Sequence, residues 1–162
     1  MKFLPAANST TAGSFDVEAS QNGSTVAVQS GKATSTINVT PVGDTPPVAN
    51  ITTDEDTLTG AIVINRNADD GAEVTHFRIS GITGGTLFKS NGITPINNGD
   101  FLLFAEVQSG VRFLPTANSN VAGHFDVESS QDGSTVAAQS GKATSTITVT
   151  DADQQRQLHH SR

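Results

Sequence analysis

No cysteine occurs among the 162 residues, so neither a disulfide nor a thiolate site can form, and oxidising and reducing compartments are equally allowed. Tryptophan and tyrosine are absent too. The eight phenylalanines must therefore supply the aromatic bulk of any core, and the exposed Trp and Tyr platforms common in sugar-binding sites are excluded. Basic residues are scarce: nine Lys and Arg face sixteen Asp and Glu, for a net charge of −7. That balance opposes binding to nucleic acid or to an anionic membrane, and suits a solvated surface or divalent cations. No apolar run approaches the roughly 20 residues needed to span a bilayer, so no membrane insertion is expected. The opening Met1-Lys2-Phe3-Leu4-Pro5 has no apolar signal-peptide core. No stretch sustains an apolar period of 3.6 with caps, which predicts essentially no helix.

What the chain has instead is a repetition. Residues 2–40, KFLPAANSTTAGSFDVEASQNGSTVAVQSGKATSTINVT, return 110 positions later as 112–150, RFLPTANSNVAGHFDVESSQDGSTVAAQSGKATSTITVT. Nine mismatches among 39 aligned pairs leave 30 identities. A period near 110 is that of one whole β-sandwich domain, not of a helical solenoid unit. The chain is thus expected to comprise the closing half of a preceding repeat (1–41), a Pro-rich linker (42–49), one complete repeat (50–150) and a tail (151–162). Beginning in mid-repeat, it reads as an excised piece of a longer protein. A half copy of about 40 residues is too small to bury its own core, and is expected to be disordered or to borrow a partner.

Period-two alternation marks the strands. In the half copy they are 14–20 and 34–40, where Phe15, Val17, Ile37 and Val39 alternate with polar neighbours and Asn22-Gly23 signals a turn. Pro46 and Pro47 stiffen the linker. In the complete repeat, strands are expected at 50–53, 58–64, 74–80, 86–89, 101–107, 110–114 (stopped by Pro115), 124–129 and 143–150. Turn signals fall between them, sharpest at Asn65-Arg66-Asn67-Ala68-Asp69-Asp70-Gly71. Seven to eight short strands so spaced predict an all-β Greek-key sandwich. Its expected core is Phe77, Phe101, Phe104, Phe113 and Phe125 with Ile62, Ile64, Ile79, Val127, Ile147 and Val149.

Catalytic chemistry finds little to work with. His76 and His124 each stand alone on a strand, and no nucleophile elbow, phosphate-cradling loop or HExxH is present. An enzyme is not expected. His159 and His160 belong to the tail, DADQQRQLHHSR, and lack companion ligands. Asp126 and Glu128 alternate with Phe125 and Val127, which predicts an outer face that favours solubility and blocks edge pairing. Asn8, Asn22, Asn38 and Asn50 each head a glycosylation acceptor triplet, of a kind that arises by chance in a chain rich in Asn, Ser and Thr.

The segment 53–88, TDEDTLTGAIVINRNADDGAEVTHFRISGITGGTLF, followed by FLPTANSNVAGHFDV, resembles the cadherin-like tandem repeats of large bacterial surface proteins. PVGDTPPVAN is similar to the NDxPV junction between such repeats. The resemblance implies an immunoglobulin-like sandwich, stacked end to end in an extracellular or cell-surface adhesin and rigidified by calcium between units. It further implies calcium ligands at Asp44 in the linker, Asn67 and Asp69 in the acidic loop, and Asp132 before Gly133, with Asp54, Glu55 and Asp56 serving the opposite junction. Such oxygen-rich loops are what a hard divalent cation takes. The resulting expectation is a structural spacer whose partners are neighbouring repeats, with a calcium-dependent carbohydrate- or protein-binding module of the cell surface as the alternative.

The duplication has a consequence of its own. The front half, 48–111, is closed by 112–150, yet 2–40 is a near-equal ligand, so strand exchange with a second copy is open to the chain. The intrachain segment holds the advantage of effective concentration. The calcium expectation is tested by thermal unfolding with excess calcium and then with chelator. Saturation at 100 times Kd adds about 2.7 kcal/mol of stability, whereas a shift below about one degree would remove calcium from the account.

Overall fold

The computed structural model describes residues 2–20, 23, 31–134 and 140–151, and the chain divides into two compact units, Met1–Pro41 and Val42–Arg162. In the first unit, β1 (Gly13–Val17) pairs antiparallel with β2 (Ala33–Ile37), from Gly13 opposite Ile37 to Val17 opposite Ala33. The Thr34 hydroxyl donates to Asp16 Oδ1 at 2.7 Å, and Lys32 reaches the same carboxylate at 3.4 Å. Among the described residues of this unit no second layer covers the apolar side chains. Phe3 is 47% exposed and Val17 51%.

The second unit runs β3 (Ile51–Asp54), β4 (His76–Thr83), β5 (Gly85–Phe88), β6 (Pro95–Ile96), β7 (Phe101–Leu103), α1 (Phe104–Gln108), β8 (Arg112–Pro115), β9 (Gly123–Ser130) and β10 (Ala143–Thr150). One sheet has the order β3-β10-β9-β4-β7, the other β6-β5-β8. β3 lies parallel to β10, and the remaining neighbours are antiparallel. Residues 59–64 follow β8 without becoming a regular strand: Ile62 and Val111 exchange backbone hydrogen bonds of 2.8 and 2.9 Å. This is an all-β domain with curled sheets and mixed topology.

Alternation builds the core. In β4, β9 and β10, the side chains of Phe77 and Ile79, Phe125 and Val127, and Ile147 and Val149 share one buried face. β4 and β5 are one strand bent across the two sheets at Gly84, whose φ is +72°. A Cβ there would lie 2.7 Å from the Gly123 backbone, so only glycine turns this corner. At the same corner the Phe113 ring sits against Gly85 and Gly123, where an added Cβ would come within 2.6 and 2.3 Å of it. Phe113 is fully buried.

Residues 42–49 pack onto this unit. Gly43 is buried against Ser129 and Val74, the Ser129 hydroxyl donates to the Asp44 carbonyl at 2.8 Å, and Ser145 donates to Ala49 at 2.6 Å. Among the described residues no helix is long and apolar enough to cross a membrane.

Several local expectations are corrected. The apolar run at 101–107 splits into β7 and the one-turn α1, because the Glu106 carboxylate accepts the Leu103 N–H at 2.9 Å and caps a turn that Gly110 ends at φ +87°. Leu102, not Phe101, faces inward, since its register partner is the buried Phe77. Phe101 and Phe104 are half-buried, the latter with its ring centroid 6.1 Å from that of Phe77. The stretch 58–64 is not a regular strand, because the Thr59 hydroxyl takes the Phe113 N–H at 2.9 Å in place of a ladder carbonyl. Pro115 is the last residue of β8 and does not lie beyond it.

β9 is interior to its sheet, so Asp126 and Glu128 have no edge to block. Glu128 is buried with Arg78 at 3.3 Å, and Asp126 takes the Thr144 hydroxyl at 2.7 Å. His159 and His160 lie outside the described residues.

Replacing Phe113 or Phe125 by Ala should lower the urea-unfolding free energy of the second unit by roughly 3 to 5 kcal/mol. Phe15→Ala should leave that transition within about 0.5 kcal/mol of the parent, because Phe15 lies outside that core.

Candidate functional site

The loops of the second unit gather at two ends. Asp44, the loop 67–73 and Asp132 flank the starts of β4 and β10 and the finish of β9. Asp54, the last residue of β3, and Glu55 and Asp56 after it lie at the opposite end, beside the finish of β10. The strands separate the two groups because each end of a sandwich collects alternate connections.

At the first end, the Asp44 N–H donates to Asp70 Oδ1 at 2.8 Å, and the Asn67 side-chain amide donates to the Thr45 carbonyl at 2.8 Å. Asn67 Oδ1 accepts the Asp69 N–H at 3.1 Å, the self-bracing turn that short polar side chains form. Asp132 accepts the Ser134 N–H at 2.8 Å. The structure thus joins Asp44 to Asn67 through the loop they brace, while Asp69 is held there by its N–H and the Asp132 carboxylate caps its own turn. Among the described residues no three carboxylate or imidazole groups converge as a metal site does. Calcium takes roughly six to eight oxygens, and these donors by themselves do not supply them.

At the second end, Asp54 Oδ1 accepts the Thr150 hydroxyl at 2.6 Å, and Asp56 Oδ1 accepts the Asn118 N–H at 2.8 Å. The Glu55 N–H donates to the Thr150 carbonyl at 2.9 Å. Asp56, at φ +56°, also borders an open groove of ≈ 400 Å³ along Thr86 and Pro115. No aromatic ring lines it.

Two residues that sequence reasoning passed over matter at the first end. The Arg66 guanidinium lies 4.0 Å from the Phe104 ring centroid and its Nε donates to the Val74 carbonyl at 2.7 Å, which clamps the acidic loop to α1. Asp70 is the other: its Oδ2 is buried without a hydrogen-bond partner. Burial raises its carboxyl above the ordinary 3.8, and the nearby Asp44 charge adds to that while the Asp44 N–H opposes it. Its place beside Asp69 in the Asp-Asp-Gly loop was the available signal. Two histidines sit apart, His76 with Thr75 at 2.7 Å and His124 with Thr83 at 2.8 Å, at opposite ends of the β4–β9 pair.

Neither a protein-family model nor a curated protein matches the chain. A solution NMR structure of a conjugate transposon protein (residues 27–141) from Bacteroides vulgatus is similar at 13% identity, over 91% of this chain and 92% of that one, with a TM-score of 0.42. At that score the likeness carries no argument.

Opposite pH responses are expected from two carboxylates at the first end. Glu106 is held below the ordinary 4.5, first by the Lys89 ammonium at 2.7 Å and then by the Leu103 N–H. Its stabilisation is present above the unfolded value and lost as pH falls through the lowered one. The raised Asp70 does the reverse, since its ionised form is disfavoured in the fold, so its effect eases as pH falls through the raised value. Asp70→Asn should therefore be more stable than the parent at neutral pH, with the gap closing in acid. Glu106→Gln should be less stable at neutral pH and also converge in acid. Urea unfolding of both variants between about pH 3 and 7 measures this.

Proposed function

We propose that the chain is a structural repeat of a large extracellular surface protein, a spacer whose adhesive role belongs to the whole array, with no catalytic activity of its own. The observation that carries the reading is where the two copies differ. Of the nine mismatches between 2–40 and 112–150, six fall at exposed positions of the second copy: Thr116, Asn120, Val121, His124, Asp132 and Thr148. Arg112 is half-buried, Ala138 lies outside the described residues, and Ser129 alone is buried.

Interior residues are thus kept while the surface drifts, which is what a unit valued for its fold requires. The all-β domain with its loops at two ends suits end-to-end stacking as an immunoglobulin- or cadherin-like sandwich. Residues 42–49, which would precede the domain as its connection, are pinned to it by Ser129 and Ser145, and that favours a defined approach over a free tether. Calcium enters this reading as a shared ion, for which Asp44 and the 67–73 loop would supply part of the shell and a neighbouring unit or water the remainder. The acidic surface keeps such an array soluble.

A concatemer of residues 42–150 pulled end to end should give evenly spaced unfolding events. Each should release a contour length of roughly 360 to 390 Å before subtraction of the folded length, from 109 residues at about 3.3 to 3.6 Å each. Micromolar binding of a single unit to a glycan array would overturn the spacer in favour of a binding module.

A further inference from the structure

The first unit already has the conformation of the segment that closes the second. β1–β2 and β9–β10 have the same register, shifted by 110 throughout: Gly13–Ile37 matches Gly123–Ile147, and Val17–Ala33 matches Val127–Ala143. Thr34 binds Asp16 at 2.7 Å as Thr144 binds Asp126 at 2.7 Å. Asn8 and Asn118 have φ +56° and +53°, and Gly23 and Gly133 +70° and +72°. A Cβ on Gly13 would lie 2.3 Å from the Phe3 ring, as one on Gly123 would from Phe113. The difference lies on the other side of that ring. Phe113 has Gly85 and the front half against it and is fully buried, whereas Phe3 is 47% exposed.

The apolar face of the first unit is therefore complementary to the front half of the sandwich, residues 48–111. The buried side chains that 112–150 contributes, among them Phe113, Phe125, Val127, Ile147 and Val149, recur unchanged in 2–40 as Phe3, Phe15, Val17, Ile37 and Val39.

Geometry decides which front half it can reach. In the closing position Thr40 takes the place of Thr150, at the far end of the strand that starts beside Gly141. Gly43 to Thr45 are anchored at the near end by the front half itself: Gly43 lies against Val74, the Asp44 N–H donates to Asp70 Oδ1 at 2.8 Å, and the Thr45 carbonyl accepts from the Asn67 amide at 2.8 Å. Nine strand residues separate the two ends, about 30 Å. Three residues from Thr40 to Gly43 span at most about 11 Å. With those anchors in place the segment cannot close its own chain.

We propose that residues 2–40 are a second closing segment, and that their apolar face docks on the front half of a second copy of this chain when that copy's 112–150 segment is withdrawn. β1 then pairs with the partner's β4 and β2 lies parallel to the partner's β3. Exchange is the minor state of the parent chain for two reasons. The resident segment has the higher effective concentration. The incoming one also lacks the Ser129 hydroxyl, which is Ala19, and carries Lys2 for Arg112, whose guanidinium bonds the Ser90 and Thr59 carbonyls at 3.0 and 3.3 Å. The proposal is independent of adhesion or calcium.

The experiment disables the resident segment in the full chain. Phe125→Asp should leave a cooperative thermal transition and convert the protein to a dimer by light scattering, while Phe15→Asp/Phe125→Asp should abolish the transition. Phe113→Asp with and without Phe3→Asp repeats the test through a different side chain. Because the chain has no native cysteine, Ser14→Cys with Thr83→Cys can be added to Phe125→Asp, the two positions matching the register pair His124 and Thr83. A reducible band at twice the mass is expected on a non-reducing gel. Single Phe→Asp variants as unfolded as the doubles, a folded monomer, or a crosslink confined to one chain would each overturn the proposal.

Discussion

The contact of the Phe113 ring with Gly85 and Gly123 holds the two sheets together. Gly85 opens β5 in one sheet and Gly123 opens β9 in the other, and neither could carry a side chain without displacing the ring. Gly84, at φ +72°, makes the bend that brings Gly85 there. The ring belongs to the closing half of the domain and Gly85 to the opening half, so this contact exists only when both halves are present. Phe125 and Val127 then complete the same interior from β9, between β4 and β10. Half a sandwich has strands and turns but no second wall, as Phe3 and Val17 show.

That dependence gives the duplication its physical meaning. A segment that keeps its inward side chains and varies outside is defined by the surface it fills. Local forces suffice to set its register and turns, since two cross-strand contacts, Asp16 with Thr34 and Lys32, recur at Asp126 with Thr144 and Lys142. Burial of its apolar face is a tertiary matter. The acidic loops follow a related logic: most of their carboxylates accept backbone or hydroxyl hydrogens within their own end of the domain, so charge on this surface first serves loop geometry. Asp70 does so through Oδ1 alone, its other oxygen being buried without a hydrogen-bond partner.

Alternation made β4, β9 and β10 legible, because each has one face in the core and one outside, and Phe77, Ile79, Phe125, Val127, Ile147 and Val149 all lie where period two places them. The run at 101–107 was not legible, since a continuous apolar stretch has no period to read and Glu106 capped a turn inside it. Val74, Leu87, Ile96 and Val107 are buried without forming long alternating patterns, so nothing local announced them. The interior position of β9 was likewise hidden. Alternation gives the faces of a strand but not its neighbours, and so Glu128 looked exposed, although it is buried beside Arg78 of β4.

The sequence by itself determined the all-β class, the faces of β4, β9 and β10, and the recurrence of 2–40 at 112–150, because alternation and repetition are local or countable. Only the tertiary structure decided that 42–49 is anchored to the domain, that β3 runs parallel to β10, that Asp44 meets Asp70, and that Phe113 needs Gly85 to be buried. These depend on which distant segments lie side by side, and that is set by how the two halves share one core.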